Sequence, residues 1–128
     1  MELGITFEKH FTVTEGMTAS ALKTGTVQVF SSPVMFAYME ACCVDCVQKY
    51  LAPGEATVGI NLNVSHDAAT PVGTEITVSC KLVAQDRRHL TFEVEAHTAI
   101  ESIGKGTHDR FIVDEQRFYD KMNAKYTK

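Results

Sequence analysis

Several features that would narrow the function at once are missing from this chain of 128 residues. No apolar run approaches the roughly 20 residues that a membrane-spanning helix needs, so we predict no membrane partner. Basic residues are not in excess, since 12 Lys and Arg stand against 16 Asp and Glu. The resulting charge of −4, with no basic stripe, argues against a nucleic-acid partner. The first residues lack a basic start and a signal-type apolar stretch, which predicts a cytoplasmic location.

The cysteines lack the arrangement of a metal site. Cys43 and Cys46 have the spacing of half a zinc knuckle, but no second pair accompanies them, so we predict no bound metal. Together with Cys42 and Cys80 they are expected to be small buried residues. A nucleophilic cysteine is a weaker alternative, because the nearby carboxylate of Glu40 would raise the pKa of a thiol.

What the chain does contain is an apolar run, residues 34–44, interrupted by one charge, Glu40. With Ser32 as N-cap and Pro33 at the first helical position, this run predicts a helix that ends near Leu51. A helix that is apolar nearly all round is buried on most sides. A carboxylate there is costly unless it is paired or hydrogen-bonded, and groups kept in that situation are functional candidates.

The rest of the chain reads mainly as strands. Alternation of apolar and polar residues predicts strands at about 5–14, 58–65, 75–84, 90–97 and 103–113. A helical turn at 18–22, an extended segment at 25–30 and a polar C-terminal helix or tail at 114–124 complete the prediction. One apolar helix and a sheet with one apolar face predict a single α+β domain, residues 1–128. A curved antiparallel sheet around the helix, the hotdog architecture, satisfies both patterns. Its open flank predicts a homodimer, with a tetramer as the alternative.

A hydroxyl, a carboxylate and an imidazole are predicted near this helix. The two-residue period aligns His66 with the alternating apolar residues 58–64, on the face that covers the helix. Glu40 and His66 would then share a low-dielectric region that tunes both pKa values. Ser32 would present its hydroxyl at the helix start, where negative charge is favoured. Such a set fits acyl-transfer chemistry, although a cap serine and a core histidine would explain two of its members.

The last predicted strand places Gly104, Gly106, His108 and Arg110 on one face. A buried arginine needs an anionic partner, which is either a carboxylate of the protein or a ligand. The two glycines are more typical of close helix packing or a bulge than of a phosphate site. The remaining histidines have no evident partner and are predicted at surface or ordinary strand positions: His10, His89, His97 and His108.

Four blocks of the chain have a combined spacing that is more specific than any one of them. They are Met39-Glu40-Ala-Cys-Cys-Val, Leu51-Ala-Pro53-Gly54-Glu55, the stretch 59–71 ending His66-Asp-Ala-Ala-Thr-Pro71, and Gly104-x-Gly106-Thr107-His108-x-Arg110. Together they resemble the fluoroacetyl-CoA thioesterase group of the hotdog superfamily. The similarity runs from about Phe30 to Lys125.

This resemblance implies hydrolysis of an acyl-CoA thioester by a homodimer, with the site near the subunit interface and no cofactor, since CoA is part of the substrate. By motif position it implies a catalytic set of Ser32, Glu40 and His66, in which the serine replaces the family's threonine. It also implies that Gly59 and Arg110 contact the substrate. The member specific for fluoroacetyl-CoA has a phenylalanine-bearing lid before the helix. The corresponding segment of this chain, residues 23–31, is shorter than that lid. We therefore expect a thioesterase that acts on small acyl-CoAs in general.

Two other functions stay open at this point. An acyl-CoA hydratase of the same fold would carry an Asp-x-Asn-Pro-x-His-like loop, and this sequence has no such run. A non-catalytic protein that binds acyl-CoA or another small ligand would keep the pocket without depending on Glu40 or His66. Ligand-induced stabilisation without turnover would indicate the binding protein.

Overall fold

The computed structural model describes residues 1–127 and places one long helix against a five-stranded antiparallel sheet. The strands are β1 (Thr6–Thr12), β2 (Glu55–His66), β3 (Glu75–Asp86), β4 (His89–His97) and β5 (Ser102–Asp114). The helices are α1 (Ala19–Leu22), α2 (Ser32–Val47) and α3 (Glu115–Tyr126), with 3₁₀ turns at Glu15–Met17 and Gln48–Tyr50. The strand order is β1-β3-β4-β5-β2, so β1 and β2 form the two edges. This is the predicted α+β hotdog architecture.

The core lies between α2 and the inward faces of the central strands. Alternate residues of β3 and β4 are buried there as predicted: Ile76, Val78, Cys80, Leu82, Leu90, Phe92, Val94 and Ala96. Fully burying a large apolar side chain contributes about 1.5–3 kcal/mol. Ala84 was also expected inside, but a register shift between Leu82 and Ala84 leaves it exposed.

The start of α2 differs from the prediction by one residue, and the difference bears on the site. Ser31 is the N-cap, because its extended backbone precedes the helix and its hydroxyl accepts the Val34 N–H at 3.4 Å. The prediction that Ser32 is the N-cap is therefore wrong, and Ser32 is the first helical residue. Its hydroxyl is free to bond elsewhere. At the other end, the helix and the following 3₁₀ turn reach Tyr50, close to the predicted end.

A bulge in β2 reverses half of the predicted face assignment. The strand pairs Gly59 with Arg110 and Asn61 with Asp109, so Ile60 is an extra residue. One extra residue reverses the inward and outward directions of the side chains that precede it in the strand. The side chains of residues 62, 64 and 66 face the helix as predicted. Val58 and Ile60, which were expected to face it too, lie on the outer face, where Ile60 is 52% exposed. Gly59 takes the inward place.

The connections before and after the sheet are partly as predicted. Thr18 caps the short α1 by accepting the Ala21 N–H at 3.2 Å. Residues 25–30, expected to be extended, form no strand, and the segment is tied down by a bridge between Thr18 and Phe30. The polar C-terminal helix is α3, which lies over the outer face of β2 and β5. Among residues 1–127 no helix has the length and apolar character needed to cross a membrane.

Candidate active site

A serine and a histidine meet where α2 begins and β2 ends. Ser32 is the first residue of α2 and His66 the last of β2, and the Ser32 Oγ lies 2.7 Å from His66 Nδ1. The buried ring of Phe30 packs edge-on against the imidazole, with centroids 6.2 Å apart. The predicted inward direction of His66 is confirmed. The group that it contacts is the hydroxyl of Ser32, which does not cap the helix.

The environment of His66 favours its neutral imidazole, and one of the two ring nitrogens has no hydrogen-bond partner among residues 1–127. Burial is the main cause that lowers the pKa of His66, while the backbone of Ala68 and the charge of Asp67 oppose the shift. Its Nε2 atom is buried and makes no hydrogen bond to any residue among 1–127. A neutral imidazole with a spare nitrogen can accept or deliver a proton.

A cleft of about 340 Å³ opens beside this pair. Its walls come from α1, the segment leading into α2, and the chain that follows β2. The lining residues are Ala19, Thr24, Val29–Pro33 and His66–Ala69. The Ser32–His66 pair therefore faces a space that can hold a small group.

Glu40 belongs to a second cluster, on the side of α2 that faces the β2 edge. Its Oε1 atom lies 3.5 Å from Arg110 Nη1 and 3.9 Å from His108 Nε2. The side chain is 43% exposed, so the expectation of a carboxylate buried on most sides is wrong. The reason is that the sheet covers only one side of the helix. Arg110 was expected to have an anionic partner, either a carboxylate of the protein or a ligand, and the structure supplies the carboxylate of Glu40.

Arg110 is held from three directions. The side chain is buried, with the residue 6% exposed. Its Nε donates to Thr57 Oγ1 at 2.8 Å and its Nη2 to the Thr57 carbonyl at 3.0 Å. Its Nη1 lies 3.0 Å from His108 Nε2. Burial lowers the pKa of Arg110 and the charge of Glu40 opposes that shift. The guanidinium is thus fixed in orientation beside Glu40.

His108 is a site residue that the sequence reasoning missed. It was predicted at an ordinary strand or surface position, but it is 1% exposed and bonds to Arg110 and to the Asn61 carbonyl, 2.8 Å from its Nδ1. The strand pattern does place His108 on the same face as Arg110, since alternate strand residues share a face, but it does not show that the two side chains are in contact.

The absence of a side chain at Gly59 leaves space for the cluster of Glu40, Arg110 and His108. A Cβ atom added there would lie 2.9 Å from Glu40 Oε1 and 3.2 Å from both Arg110 Nη1 and His108 Cε1. A side chain at this position would push into the carboxylate. Gly59 and Arg110, for which the resemblance implies substrate contact, thus both lie around Glu40, and that contact stays a prediction.

The two clusters do not meet within one chain. Ser32 and Glu40 are eight residues apart on α2, which corresponds to about 12 Å along the helix axis. Glu40 contacts Arg110 and His108, whereas His66 contacts Ser32. The expectation that Glu40 and His66 share one low-dielectric region is therefore not met inside a single subunit. Because Ser32 and Glu40 lie on one continuous helix, the distance between them is fixed by the helix.

The cysteines behave as the sequence predicts. All four are free and buried, and Cys42 Sγ lies 3.5 Å from Cys80 Sγ. The hydrogen bond to Cys80 and burial raise the pKa of Cys42, which keeps it a thiol and disfavours attack by it. Within the described part of the chain, no three His, Cys, Asp or Glu side chains are grouped to hold a metal ion.

Known proteins resemble this chain in sequence and in fold. The family model described as fluoroacetyl-CoA-specific thioesterase matches residues 13–116. The fluoroacetyl-CoA thioesterase of Streptantibioticus cattleyicolor is 38% identical over 98 residues, which cover 77% of this chain and 70% of that protein. A solved structure of the fluoroacetyl-CoA thioesterase FlK has a TM-score of 0.91 and 34% identity, covering 98% of this chain and 97% of that one. A hot-dog-like protein of Thermanaerovibrio acidaminovorans, 14% identical with a TM-score of 0.93 over 100% and 95% of the two chains, supports the fold alone.

The fold and these matches define an acyl-CoA thioesterase of the hotdog superfamily. The chain belongs to the fluoroacetyl-CoA-specific thioesterase family. The family and the enzyme class predicted from the sequence are thereby confirmed, and the individual roles of the site residues stay predictions.

Proposed function

We propose that this protein hydrolyses small acyl-CoA thioesters to the free acid and CoA, with Ser32, Glu40 and His66 as its catalytic set. The observation that carries the proposal is the Ser32–His66 pair, which faces a cleft and leaves the buried Nε2 of His66 unpartnered among residues 1–127. The reaction needs no cofactor, since CoA is part of the substrate. The cytoplasmic location predicted from the sequence stays a prediction.

The start of α2 is suited to the oxygen of the thioester carbonyl. Negative charge that develops there is favoured by the helix dipole and by unpaired N–H groups. Pro33 has no N–H, and the Val34 N–H already donates to Ser31. The N–H and the hydroxyl of Ser32 are therefore the nearest donors. This is a reason for a hydroxyl at position 32 rather than an apolar side chain.

Glu40 supplies the attack in one of two ways. It attacks the acyl carbon directly and forms an anhydride that water then opens, or it acts with His66 as base toward an attacking water. On the water route the hydroxyl of water joins the acyl carbon as the C–S bond breaks, and the remaining proton goes to the CoA sulfur. On the anhydride route a Glu40 oxygen joins the acyl carbon as the C–S bond breaks and the CoA sulfur takes a proton, and water then opens the anhydride at either of its two carbonyl carbons. Oxygen-18 from labelled water enters the carboxylate of Glu40 only on the anhydride route. Label in Glu40 after a single turnover would establish the anhydride route, and trapping of an acylated Glu40 with hydroxylamine detects that route when water attacks the acyl carbonyl instead.

We propose that the site is completed by a homodimer. The β2 edge is open, and α2 leaves a partly exposed flank of residues 36, 37, 40, 41 and 44. Antiparallel pairing of two β2 strands centred on Asn63 keeps inward residues opposite inward residues, once the extra Ile60 is counted. Gly59, beside Glu40, would then lie opposite the partner subunit's His66. Such pairing would bridge the separation of about 12 Å along α2.

The acyl group is expected to be small and not selected for fluorine. Phe30 is the only aromatic residue between positions 23 and 31, and it is buried against Phe11, with ring centroids 5.6 Å apart, and against His66. It forms a wall of the cleft rather than a lid over it. Acetyl-CoA and fluoroacetyl-CoA should therefore have similar kcat/KM values.

The test is thiol release from a panel of acyl-CoAs, including acetyl, fluoroacetyl, longer and aryl-acetyl groups, by the wild type and by Glu40→Gln. We expect the wild type to release thiol and Glu40→Gln to be slower by about 100-fold or more, as for other essential acid–base groups. Asp45→Asn is the matched control, because Asp45 is an exposed carboxylate on the same helix that pairs with Lys9. It should retain activity.

The remaining outcomes of this panel also decide the question. Full activity in Glu40→Gln would show that the carboxylate has no catalytic role. Thermal stabilisation by an acyl-CoA, with only background release in both proteins, would identify a binding protein and overturn the proposal.

A further inference from the structure

Two hydrogen bonds link the backbone of β2 through His108 to Arg110, and an ion pair continues from Arg110 to Glu40. The Asn61 carbonyl lies 2.8 Å from His108 Nδ1, and His108 Nε2 lies 3.0 Å from Arg110 Nη1. The same Nη1 lies 3.5 Å from Glu40 Oε1. His108 and Arg110 are both buried, so the two hydrogen bonds of His108 are shielded from water.

The two neighbours of His108 determine which nitrogen carries the proton. A carbonyl oxygen can only accept, so Nδ1 must carry a hydrogen and donate it to Asn61. A guanidinium can only donate, so Nε2 must be bare and accept from Arg110. His108 is therefore a neutral imidazole with its hydrogen on Nδ1. A proton on Nε2 would face the Arg110 cation and break this contact.

The bond from His108 is the one that fixes the end of Arg110 nearest to Glu40. Thr57 holds the Nε and Nη2 atoms, on the far side of the guanidinium. Only Nη1 contacts both His108 and Glu40. Because the guanidinium is planar and rigid, an acceptor at Nη1 sets the tilt of the whole group.

We infer that His108 is a positioning residue for the thioesterase reaction, in that its neutral Nδ1–H form holds Arg110 against Glu40 and thereby orients the carboxylate. The inference rests on the catalytic role proposed for Glu40. It adds a second histidine, distinct from His66, whose neutral form the enzyme requires.

The surroundings of His108 set the direction of its pH dependence. The charged groups that face it are Glu40 from α2 and Arg110 and Asp109 from β5, whereas Leu62 of β2 and Phe92 of β4 are apolar. Burial is the main cause that lowers the pKa of His108, opposed by the Asn61 carbonyl and aided by Arg110. Activity should therefore be lost as the pH falls through the lowered pKa of His108, which lies below the ordinary histidine value of about 6.5.

The test compares His108→Leu with His108→Gln. Leucine removes both hydrogen bonds, whereas the glutamine amide carries both a donor and an acceptor. We expect His108→Leu to lower kcat by about 10–100-fold with little change in KM, the range seen when a group that orients a ligand is removed. His108→Gln should keep most of the activity. His97→Leu, at a strand histidine outside the site, is the control.

Two measurements separate positioning from a structural role. The acid limb of kcat/KM should approach a slope of two in the wild type, from His66 and His108, and a slope of one in His108→Gln. Nuclear magnetic resonance of labelled histidine should find the His108 hydrogen on Nδ1. Full kcat in His108→Leu would overturn the inference. So would equal losses in both variants accompanied by a lower melting temperature.

The outcome for Glu40 is read separately. If Glu40→Gln is fully active, the proposed function fails whatever His108 does. If Glu40→Gln is inactive while His108→Leu keeps its kcat, only the inference about His108 fails.

Discussion

The neighbouring serines at the start of α2 have different tasks, although they are the same residue type. Ser31 accepts the Val34 N–H and caps the helix, whereas Ser32 bonds to His66 at 2.7 Å. The cap satisfies a backbone donor that would otherwise be left unpaired. The second hydroxyl is set against an imidazole whose pKa burial lowers. Their roles can therefore be separated by single substitutions.

We expect Ser32→Ala to lower kcat by about 10–100-fold, because it removes the hydroxyl from His66 and from the oxyanion position. Ser32→Thr keeps the hydroxyl and should keep most of the activity. Ser31→Ala should instead cost about 1 kcal/mol of stability, the usual cost of losing a helix cap. Steady-state kinetics and thermal unfolding of the three variants test this. Equal activity of Ser32→Ala and wild type would contradict the assignment of Ser32.

At the level of the strands, the pairing of β2 with β5 sets which side chains reach the helix. The inward residues of β5 include two glycines, and each is directly opposite an inward residue of β2: Gly106 opposite Val64, and Gly104 opposite His66. The bulge at Ile60 keeps Gly59 in register with Arg110. In the β2–β5 strand pair, Gly59 and Gly106 both lack room for a side chain, but for different reasons.

Gly59→Ala and Gly106→Ala should therefore fail in different ways. The added Cβ of Gly106 would overlap the Asn63 carbonyl oxygen and lie 2.7 Å from Val64 Cα, so the backbone must shift. We expect a loss of about 1–3 kcal/mol or more in unfolding free energy. The added Cβ of Gly59 meets Glu40 Oε1, the end of a flexible side chain.

Gly59→Ala should consequently fold with near wild-type stability but lose activity by about 10-fold or more, since Glu40 is displaced from Arg110. Denaturant unfolding and thiol release, measured on both variants, give the comparison. A Gly59→Ala protein that is fully active would place Glu40 outside the reaction or show that its exact position is unimportant.

At the scale of the whole molecule, the open β2 edge and the uncovered flank of α2 lie on the same side of the subunit. An exposed edge strand is normally covered or paired. In the proposed dimer, each site takes Ser32 and His66 from one subunit and Glu40 from the other. That arrangement has a consequence that a site within one chain does not share.

Mixed dimers should show it. A chain with Glu40→Gln and a chain with His66→Ala are each expected to be inactive as homodimers. Their heterodimer would contain one site with both groups intact and one with neither, so about half of the wild-type activity should return. Differently tagged chains, purified as the heterodimer and assayed for thiol release, provide the measurement. No recovery would place Glu40 and His66 in sites within single chains.

Sequence alone determined the features that depend on neighbours a few residues apart. The two-residue period of β3 and β4 identified the inward residues of both strands apart from Ala84, and the apolar run with its one charge identified α2. The motif spacing identified the family, and the rule that buried arginines need anions predicted that Arg110 has an anionic partner without identifying it. Each of these signals is local or carried by residue type, so it survives without knowledge of the packing.

The tertiary structure decided what depends on the partner across a strand pair or at a helix end. Two adjacent serines have the same preference for a cap, and only the path of the chain into α2 selects Ser31. A bulge is invisible in an alternating pattern, yet the one at Ile60 turns Gly59 toward Glu40. The burial of His108 and the distance between Glu40 and His66 follow from how β2 and β5 lie along α2. Periodicity indicates which residues share a face where a strand is regular, whereas bulges change the face and only packing decides what that face contacts.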